Sequence, residues 1–569
     1  MTASARRSFA IVLIALAVVA FSAQQLSLSA LRRQPRYDEV SYLSLAREYQ
    51  RLGGATSAIG CYVDGRCHED NRFPAYLLAL QAFAHDAPGF YADAKLLTLG
   101  IALLLMALAG VLAWRVFSPA TGVATVALLA LLPTLGEIAS GVLADVMYAA
   151  VLLACVTAIG AALERGPLAW LGAGAVIGLA YLTKGNAHLA FLGLVTAGLV
   201  LRGRRLLLAP NIYAAAAGFV AVTSFLLWRN AVVFKNPFHN FNDHALWLDG
   251  WNDVWRVLRD PEWEHIGPRW YLQHHSLWAL AWRIVKGAGQ TIGVLLYTIG
   301  PGVTAGTPAD LRPTILATVL RTAGGVAIMA LAARGLVDRH RNGHRAQVLA
   351  VTHVGGWMLL AFAVGAQGVG GVGTRFMLPF AVLCIPYAAH TLVSLGERGR
   401  TGAWLARPWA RLALLAPFAI KLAWFAPAFA ANPRAAFTVP PRWAETSAWL
   451  TAHLRPGERY AAATSSLYST WDNPFPDPDA RWLYLFDRPA DKMLADLAVG
   501  KPASIESHQD GPPPPVTKVL VDMAATDVDR YRDKMAGPAD DHGPPAFLGW
   551  PRCFADGDRP SRFLIYCRP

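Results

Sequence analysis

The sequence predicts a mainly α-helical, polytopic membrane bundle that ends in a small α/β domain. Of the 569 residues, 54% are hydrophobic and only 16% are charged, whereas about a quarter of the residues in soluble domains carry a charge. Apolar runs that are long enough to cross a bilayer as helices recur over residues 1–435. We therefore expect about eleven spans in a membrane module over 1–435, and an extracytoplasmic domain over 436–569.

The first apolar run, Phe9–Leu31, follows Arg6 and Arg7 as the apolar part of a signal peptide would. It lacks a clear cleavage site flanked by small residues, and many further apolar runs follow, so it is interpreted as a retained first span with its N-terminus inside. The other ten predicted spans are Ala94–Trp114, Ala120–Leu135, Ser140–Leu163, Leu168–Thr183, Ala187–Leu201, Leu206–Trp228, Ile315–Ala333, Val348–Ala366, Arg375–Leu395 and Leu412–Phe429.

The basic residues orient these spans. A net charge of +13 could indicate a nucleic-acid-binding protein, but the basic residues gather in short loops between the apolar runs. This positive-inside pattern excludes nucleic acid as a partner and places loops 32–93 and 229–314 outside. Gly287–Val303 is short, rich in glycine and contains Pro301, and a full crossing would move the arginines of 334–345 outside. We therefore expect a re-entrant or interfacial segment there; a crossing would raise the count to twelve or thirteen spans.

Two adjacent carboxylates, Asp38 and Glu39, follow the first span directly. After them, apolar residues recur at helical spacing at Tyr42, Leu45, Tyr49 and Leu52, which predicts a short amphipathic helix along the membrane interface. Asp38 would lie at or near the N-cap of this helix, where free backbone N–H groups favour a carboxylate. From this loop alone, Asp38 as a helix cap and Asp38 as a catalytic group are equally good interpretations.

The six cysteines divide by their surroundings. Two of them, Cys155 and Cys384, lie in apolar runs and are expected to be buried. The others flank short polar segments as local pairs, Cys61 with Cys67 and Cys553 with Cys567. Neither pair has the C-x-x-C spacing typical of zinc sites, so disulfides in an oxidising compartment are favoured.

From about residue 438 onwards, the hydrophobic runs shorten and proline, aspartate and arginine become more frequent. Trp443–Leu450 has the pattern of a helix, and Val516–Val521 and Phe563–Tyr566 have the pattern of strands. These elements predict a small α/β domain of a size that can fold as a unit.

The predicted topology gathers charged residues at the outer membrane face. Cations beside acidic groups there would suit an anionic lipid headgroup and a general base. Lys184 on its own would more often be a snorkelling side chain, whereas Asp145, one turn inside its span, is a stronger functional candidate. The residues concerned are Asp38, Glu39, Arg72, Glu137, Asp145, Lys184, Arg229 and Arg375.

Five segments, in order along residues 1–395, resemble motifs of the C-type (GT-C) glycosyltransferases, integral membrane enzymes that include protein O-mannosyltransferases and lipid A aminoarabinose transferases. The fourth segment departs from the family pattern, because Lys235 replaces its usual glycine. The segments are Asp38-Glu39-Val40-Ser41-Tyr42-Leu43, Asn71-Arg72-Phe73-Pro74-Ala75-Tyr76, Gly178-Leu179-Ala180-Tyr181-Leu182-Thr183-Lys184, Trp228-Arg229-Asn230 with Phe234-Lys235-Asn236-Pro237-Phe238, and Thr374-Arg375-Phe376-Met377-Leu378-Pro379.

The resemblance implies an enzyme that transfers a sugar from a polyprenyl-phosphate donor to an envelope lipid, glycan or protein, with inversion. Asp38 would be the general base, and Glu39 and Asp145 further acidic candidates. Glu39 would orient the acceptor or, with Asp38, hold a divalent metal; whether a metal is used stays open. The donor phosphate and substrate would be bound by Arg72, Lys184, Arg229, Arg375 and Tyr42.

The implied location is a bacterial inner membrane, with the active site facing the periplasm. The rival class is a transporter or flippase of a lipid-linked sugar, which would also need many spans and charged residues. Transporters usually have paired halves and polar groups near the bilayer midplane. Here no halves match and the charges collect at one face, although an inactive scaffold of the same fold stays open.

We expect reporter fusions after Leu201 and after Arg345 to report the cytoplasm, and a fusion after Pro569 to report the opposite side, because the positive loops remain inside. Paired alkaline phosphatase and fluorescent-protein fusions at each position measure this. A cytoplasmic signal after Pro569 would mean that Gly287–Val303 crosses the membrane.

Overall fold

The computed structural model describes most of the membrane part and selected segments of the C-terminal part. The described residues are 3–32, 35, 38–67, 69, 71–85, 89–250, 265–302, 315–368, 372–397, 408–431, 441–453, 459–462, 483–484, 516–523, 535–537, 539–547, 549–557, 561 and 563–569. The chain divides into two compact units. The first contains Met1–Leu31, Leu52–Ala82 and Lys95–Ala436; the second contains Arg32–Arg51, Phe83–Ala94 and Phe437–Pro569. The predicted outer loop 32–93 is thus shared between both units.

Helices dominate the described residues, as the sequence predicts. In chain order they are α1 (Ala3–Leu31), α2 (Asp38–Arg51), α3 (Ala55–Val63), α4 (Pro74–Leu80), α5 (Phe90–Val116), α6 (Pro119–Ala130), α7 (Pro133–Ala139), α8 (Asp145–Glu164), α9 (Pro167–Thr183), α10 (Leu189–Arg202), α11 (Pro210–Val233), α12 (Phe241–Ala245), α13 (Pro268–His274), α14 (Leu277–Ile299), α15 (Ile315–Arg341), α16 (Arg345–Gly365), α17 (Thr374–Glu397), α18 (Pro408–Ala431) and α19 (Pro441–His453). Helices α2 and α19 belong to the second unit.

Within the described residues, eight helices are long and apolar enough to cross a membrane, and a bent pair would make nine. Three further apolar helices of the described residues are shorter, namely Pro74–Phe83, Pro167–Thr183 and Leu412–Pro427. Each of the eleven predicted spans coincides with helix in the structure. The fold class, a polytopic helical membrane protein, is therefore confirmed.

The predicted span Ala120–Leu135 is wrong as a single helix. The chain bends by 64° between α6 and α7, because Pro133 has no N–H to donate and its ring disfavours a continuous helix. A break at membrane depth frees backbone carbonyls that need new donors. The Lys421 ammonium donates to the Ala130 carbonyl at 2.5 Å, so α18 supplies the missing donor.

Gly287–Ile299 is the second half of α14, a continuous helix of 23 residues, and contains no re-entrant turn. Val303 lies outside the described residues, and the interfacial alternative for Gly287–Val303 stays a prediction. A Cβ on Gly287 would overlap the carbonyl oxygen of Ala363 in α16, and one on Gly300 would overlap that of Arg321 in α15. These two glycines, which indicate an irregular segment in the sequence, therefore serve close helix packing in the structure.

Helices α9 and α11 of the first unit pack closely against each other. A Cβ added to Gly174 would overlap the carbonyl oxygen of Ala215, and one on Gly218 would overlap that of Leu171. Small residues let helix backbones approach closely in membranes, where dispersion contacts rather than water exclusion hold helices together. This pairing fixes the end of α9, where Lys184 follows.

The second unit contains a sheet of seven strands among the described residues. The strands are β1 (Arg459–Ala462), β2 (Leu483–Tyr484), β3 (Val516–Asp522), β4 (Met535–Ala536), β5 (Ala546–Phe547), β6 (Trp550–Ala555) and β7 (Phe563–Cys567). Their order in the sheet is β2-β1-β3-β7-β6-β5-β4. Strand β1 runs parallel to β2 and β3, and the remaining neighbours are antiparallel. The strands β3 and β7 lie where strands are predicted, and the apolar residues Val519–Val521 and Phe563–Tyr566 in them are buried.

We expect Gly174→Ala to destabilise the protein by about 1–3 kcal/mol, because the added methyl group must push α11 away. Gly172→Ala is the matched control, since a Cβ there meets nothing within 4 Å. Thermal unfolding of the purified protein in detergent measures the difference. Equal melting temperatures for both variants would contradict the close approach of α9 and α11.

Candidate active site

Lys184 and Asp145 form an ion pair at the ends of two spans. Lys184 directly follows α9 in an extended conformation, and Asp145 is the first residue of α8. The Lys184 ammonium donates to Asp145 Oδ1. The Asp145 side chain is only 5% exposed and that of Lys184 is 24% exposed. Asp145 also lies in the first turn of α8, where the helix dipole favours a carboxylate. The pair therefore fixes the position of the lysine.

Arg375 contacts the same aromatic ring as Lys184. Lys184 Nζ is 4.6 Å from the centre of the Phe376 ring, and Arg375 Cζ is 4.7 Å from the same ring centre. The ring of Tyr148, one turn into α8, is 5.8 Å from Lys184 Nζ. The Phe376 ring thus links Arg375 to the ion pair of Lys184 and Asp145 where α8, α9 and α17 begin or end, although the sequence separates these residues widely.

Arg229, near the end of α11, is buried and holds the first disulfide loop. Its Nη1 donates to the carbonyl of Cys67 at 3.1 Å and also to the carbonyl of Glu69. Its guanidinium lies 5.0 Å from the Tyr62 ring centre. In this structure Cys61 is bonded to Cys67, and Cys553 of β6 to Cys567 of β7. We therefore interpret Arg229 as a residue that positions the loop.

The segment that contains Arg72 is fixed by the same loop. The Glu69 carboxylate accepts the backbone N–H groups of Asn71 and Arg72, both at 2.8 Å. Phe73 then packs edge-on against Tyr181 of α9, with ring centres 5.3 Å apart. The half-buried Arg72 is therefore carried on a turn that contacts the last helical turn before Lys184.

A second segment, around α12, reaches the same place. Asn242 Nδ2 donates to Asn71 Oδ1 at 3.2 Å, and a Cβ on Gly185 would collide with the side chains of Phe73 and Asn240. Glycine is favoured at 185 because Phe73 and Asn240 meet there. The local signal of this contact in the sequence is the glycine directly after Lys184.

Two further groups were missed. Arg283 of α14 is 1% exposed and donates to the carbonyls of Leu248 at 2.9 Å and Val364 at 2.8 Å, which anchors the segment after α12. Desolvation raises the pKa of Asp243 in α12, although three nearby histidines, His188, His244 and His239, oppose the shift.

Asp38, Glu39 and Tyr42 belong to the second unit. Helix α2 begins at Asp38, as predicted, and Asp38 is half-buried. Glu39 is 4% exposed and accepts a hydrogen bond from the Tyr91 hydroxyl at 3.2 Å, and Arg32 Nη1 lies 3.8 Å from its carboxylate. Glu39 is therefore the more enclosed of the two carboxylates.

The predicted apolar face of α2 is only partly correct. Tyr49 is buried, but Tyr42 and Leu45 are half-buried and Leu52 is exposed. The buried residues of α2 are instead Glu39, Leu43, Ala46, Arg47 and Tyr49. Two of these five are charged, and hydropathy does not indicate that a charged side chain is buried.

No group of three or more His, Cys, Asp or Glu side chains is arranged to hold a metal ion within the described part of the chain. Metal binding by Asp38 and Glu39 therefore stays a prediction.

The geometry defines a polytopic membrane protein with a charged site at the ends of its helices. Residues 92–228 match the family model described as dolichyl-phosphate-mannose-protein mannosyltransferase, which is less than half of the chain. No curated protein matches the sequence significantly.

Solved structures resemble the chain over nearly its whole length. ArnT from Cupriavidus metallidurans bound to undecaprenyl phosphate has 12% identity and a TM-score of 0.52, and covers 99% of this chain and 98% of its own. Its apo state has 14% identity, a TM-score of 0.51 and the same coverage. Archaeoglobus fulgidus AglB, in complex with an inhibitory peptide and a dolichol-phosphate, is more distant, with 13% identity, a TM-score of 0.46 and coverage of 91% and 70%. The likeness to ArnT confirms that this chain has the fold of the C-type membrane glycosyltransferases.

We expect Lys184→Met to destabilise the protein by about 3–5 kcal/mol, because it leaves the Asp145 carboxylate buried without its partner. Adding Asp145→Asn should recover most of this loss, so the two changes should not be additive. Thermal unfolding of the two single variants and the double variant gives the coupling energy. Lys286→Met, on the exposed side of α14, is the control and should change stability by less than about 0.5 kcal/mol.

Independent effects of Asp145→Asn and Lys184→Met on the unfolding temperature would show that the two groups are not paired in the folded protein.

Proposed function

We propose that this protein is a glycosyltransferase that moves a sugar from a polyprenyl-phosphate donor to an acceptor of the cell envelope. The observation that carries the proposal is the meeting of Lys184, Asp145 and Arg375 at the helix ends, in a chain with the GT-C fold. Undecaprenyl phosphate is bound by the ArnT structure that this chain resembles. The sugar and the acceptor, an envelope lipid, glycan or protein, are identified by neither observation.

Lys184 and Arg375 would stabilise the leaving phosphate. In the transfer, the bond between the anomeric carbon and the phosphate oxygen breaks, and negative charge grows on that oxygen. Cations that are already fixed in place stabilise such charge without reorganising during the reaction. The pairing with Asp145 fixes the Lys184 ammonium, and the planar guanidinium of Arg375 can donate to two phosphate oxygens side by side. Arg72 is a third candidate because its turn contacts the same region.

Asp38 would be the general base. It would take the proton from the acceptor hydroxyl or amine while the acceptor oxygen or nitrogen attacks the anomeric carbon. A single displacement of this kind inverts the anomeric centre. The enclosed Glu39 would hold α2 in place through Tyr91 and Arg32, or would orient the acceptor together with Tyr42.

The reaction would take place on the extracytoplasmic side of a bacterial inner membrane. The charge distribution supports this location, because the arginine-rich loops predicted to be inside lie at the opposite ends of the spans that lead to Asp145 and Arg375. A lipid-linked donor can be reached there from the outer leaflet. The proposed reaction needs no nucleotide sugar.

We expect Asp38→Asn to reduce glycosyl transfer by about 10²–10⁴-fold while expression and donor binding stay close to those of the unchanged protein, because the amide keeps its size but cannot take a proton. Arg375→Ala should weaken donor binding as well as turnover. Mass spectrometry of envelope glycans in a deletion strain identifies the product, and transfer by purified variants in liposomes then measures each rate.

Asp64→Asn is the matched control, since Asp64 is an exposed carboxylate of the same predicted outer loop and pairs with the exposed Arg66. Transfer at the unchanged rate by Asp38→Asn would make Asp38 a helix cap and would move the role to Glu39 or Asp145. Full activity of all three acidic variants would remove the enzyme proposal and favour a transporter.

A further inference from the structure

A crevice lies between four helices, away from the charged site. It is lined by side chains of α5, α8, α16 and α17 and by Phe117, which directly follows α5. The lining is mostly apolar, and its members include Leu112, Phe117, Thr157, Gln347, Leu383 and Tyr387. Several of these side chains are only half-buried, so a ligand could reach the crevice from the membrane.

Arg339, near the end of α15, lies at the edge of this crevice. Its guanidinium carbon is 4.9 Å from the centre of the Phe117 ring, and its Nη2 donates to Gln347 Oε1 at 3.3 Å. Its Nε is buried and has no hydrogen-bond partner among the described residues. The buried Nε leaves the guanidinium incompletely paired within the protein, and an anion on its Nη groups would balance the charge.

The simpler interpretation is that Arg339 is a cation that complements the C-terminal dipole of α15. The neighbouring Arg334 fits that role, since it is half exposed and lies 3.9 Å from Asp338 on its own helix. Arg339 instead lies against side chains of the crevice. The nearby Glu164, at the exposed end of α8, interacts with Arg339 electrostatically but makes no ion pair with it within the described residues.

The crevice is separate from the site proposed for the donor phosphate. Thr157 lies about 18 Å along α8 from Asp145, and Tyr387 lies about 18 Å along α17 from Arg375 at the usual rise of a helix. That is more than half of the roughly 30 Å hydrocarbon thickness. The phosphate of one lipid cannot lie at Lys184 and at Arg339 together. A ligand whose anionic group contacts Arg339 therefore enters from the opposite leaflet.

We propose that this crevice binds an anionic phospholipid, with an acyl chain between the four helices and the phosphate on Arg339. Basic pockets between transmembrane helices at the positive side bind such headgroups. Arg339 at the edge of the crevice supplies a charge complementary to the lipid phosphate. The apolar lining of the crevice suits an acyl chain. The statement that this crevice is separate from the site of the donor phosphate rests on the function proposed above. The proposal of a lipid site does not rest on that function.

The test is native mass spectrometry of the full chain in detergent with added palmitoyl-oleoyl phosphatidylglycerol, or with phosphatidylcholine that has the same chains. We expect phosphatidylglycerol to bind more tightly than phosphatidylcholine. Arg339→Gln should weaken phosphatidylglycerol binding about fivefold, the usual contribution of one cation, and Arg339→Lys should retain most of it. Arg334→Gln, on the same helix, should leave it unchanged.

A second variant, Thr157→Phe, fills the crevice without touching Arg339 and should reduce phosphatidylglycerol binding, with thermal unfolding as the check on folding. Equal losses in Arg334→Gln and Arg339→Gln would reduce the effect to general surface charge and overturn the proposal. Equal binding of both lipids by the unchanged protein would also overturn it. Mole-for-mole displacement of phosphatidylglycerol by undecaprenyl phosphate would assign the crevice to the donor chain instead.

Discussion

Backbone carbonyls that no helix satisfies must find donors inside the membrane part of this protein, and buried cations provide them. Arg229, Arg283, Arg321 and Lys421 come from four different helices, and each donates to main-chain oxygens of another segment. An unsatisfied polar group in hydrocarbon costs several kcal/mol, so these contacts decide where the loops and the break between α6 and α7 can lie. The arginines are suited to this because a guanidinium has five donors in a fixed plane and can bind two carbonyls at once.

Lys184 is bound differently, and that difference has a functional consequence. It donates to the Asp145 carboxylate and faces the Phe376 and Tyr148 rings. A cation that donates to backbone carbonyls serves to hold the fold together. The Lys184 ammonium is instead paired with a carboxylate, near aromatic rings and a second cation, and remains part of a charged surface. The Coulomb energy between such a group and a phosphate is larger near a low-dielectric wall than in water. This contrast with Arg229, which positions a loop, is the reason why we propose Lys184 as the cation that binds the donor phosphate.

Hydropathy was sufficient to predict where the long apolar helices lie, because crossing a bilayer imposes a length and a composition on each segment. Hydropathy failed where the same residues have two uses. Pro133 lies in an apolar run of sufficient length, and its missing N–H and its ring break the helix. The glycines of Gly287–Val303 predicted an irregular chain, yet glycine also lets helices approach closely in a membrane. On α2, Glu39 is buried, whereas average hydropathy assigns every carboxylate to the surface.

The candidate site could be predicted as a set of residue types but not as an arrangement. Motif resemblance selected Arg72, Lys184, Arg229 and Arg375 with equal weight, because a cation in a motif does not reveal its partner. The structure distinguishes them through contacts between segments that are 39 residues apart for Lys184 and Asp145 and 162 residues apart for Arg229 and Cys67, which no local pattern encodes. Gly185 shows the physical reason, because Phe73 and Asn240 pack where a side chain at this position would lie. The position of Lys184 thus depends on the segments that pack against the next residue, and the site is formed by packing as much as by charge.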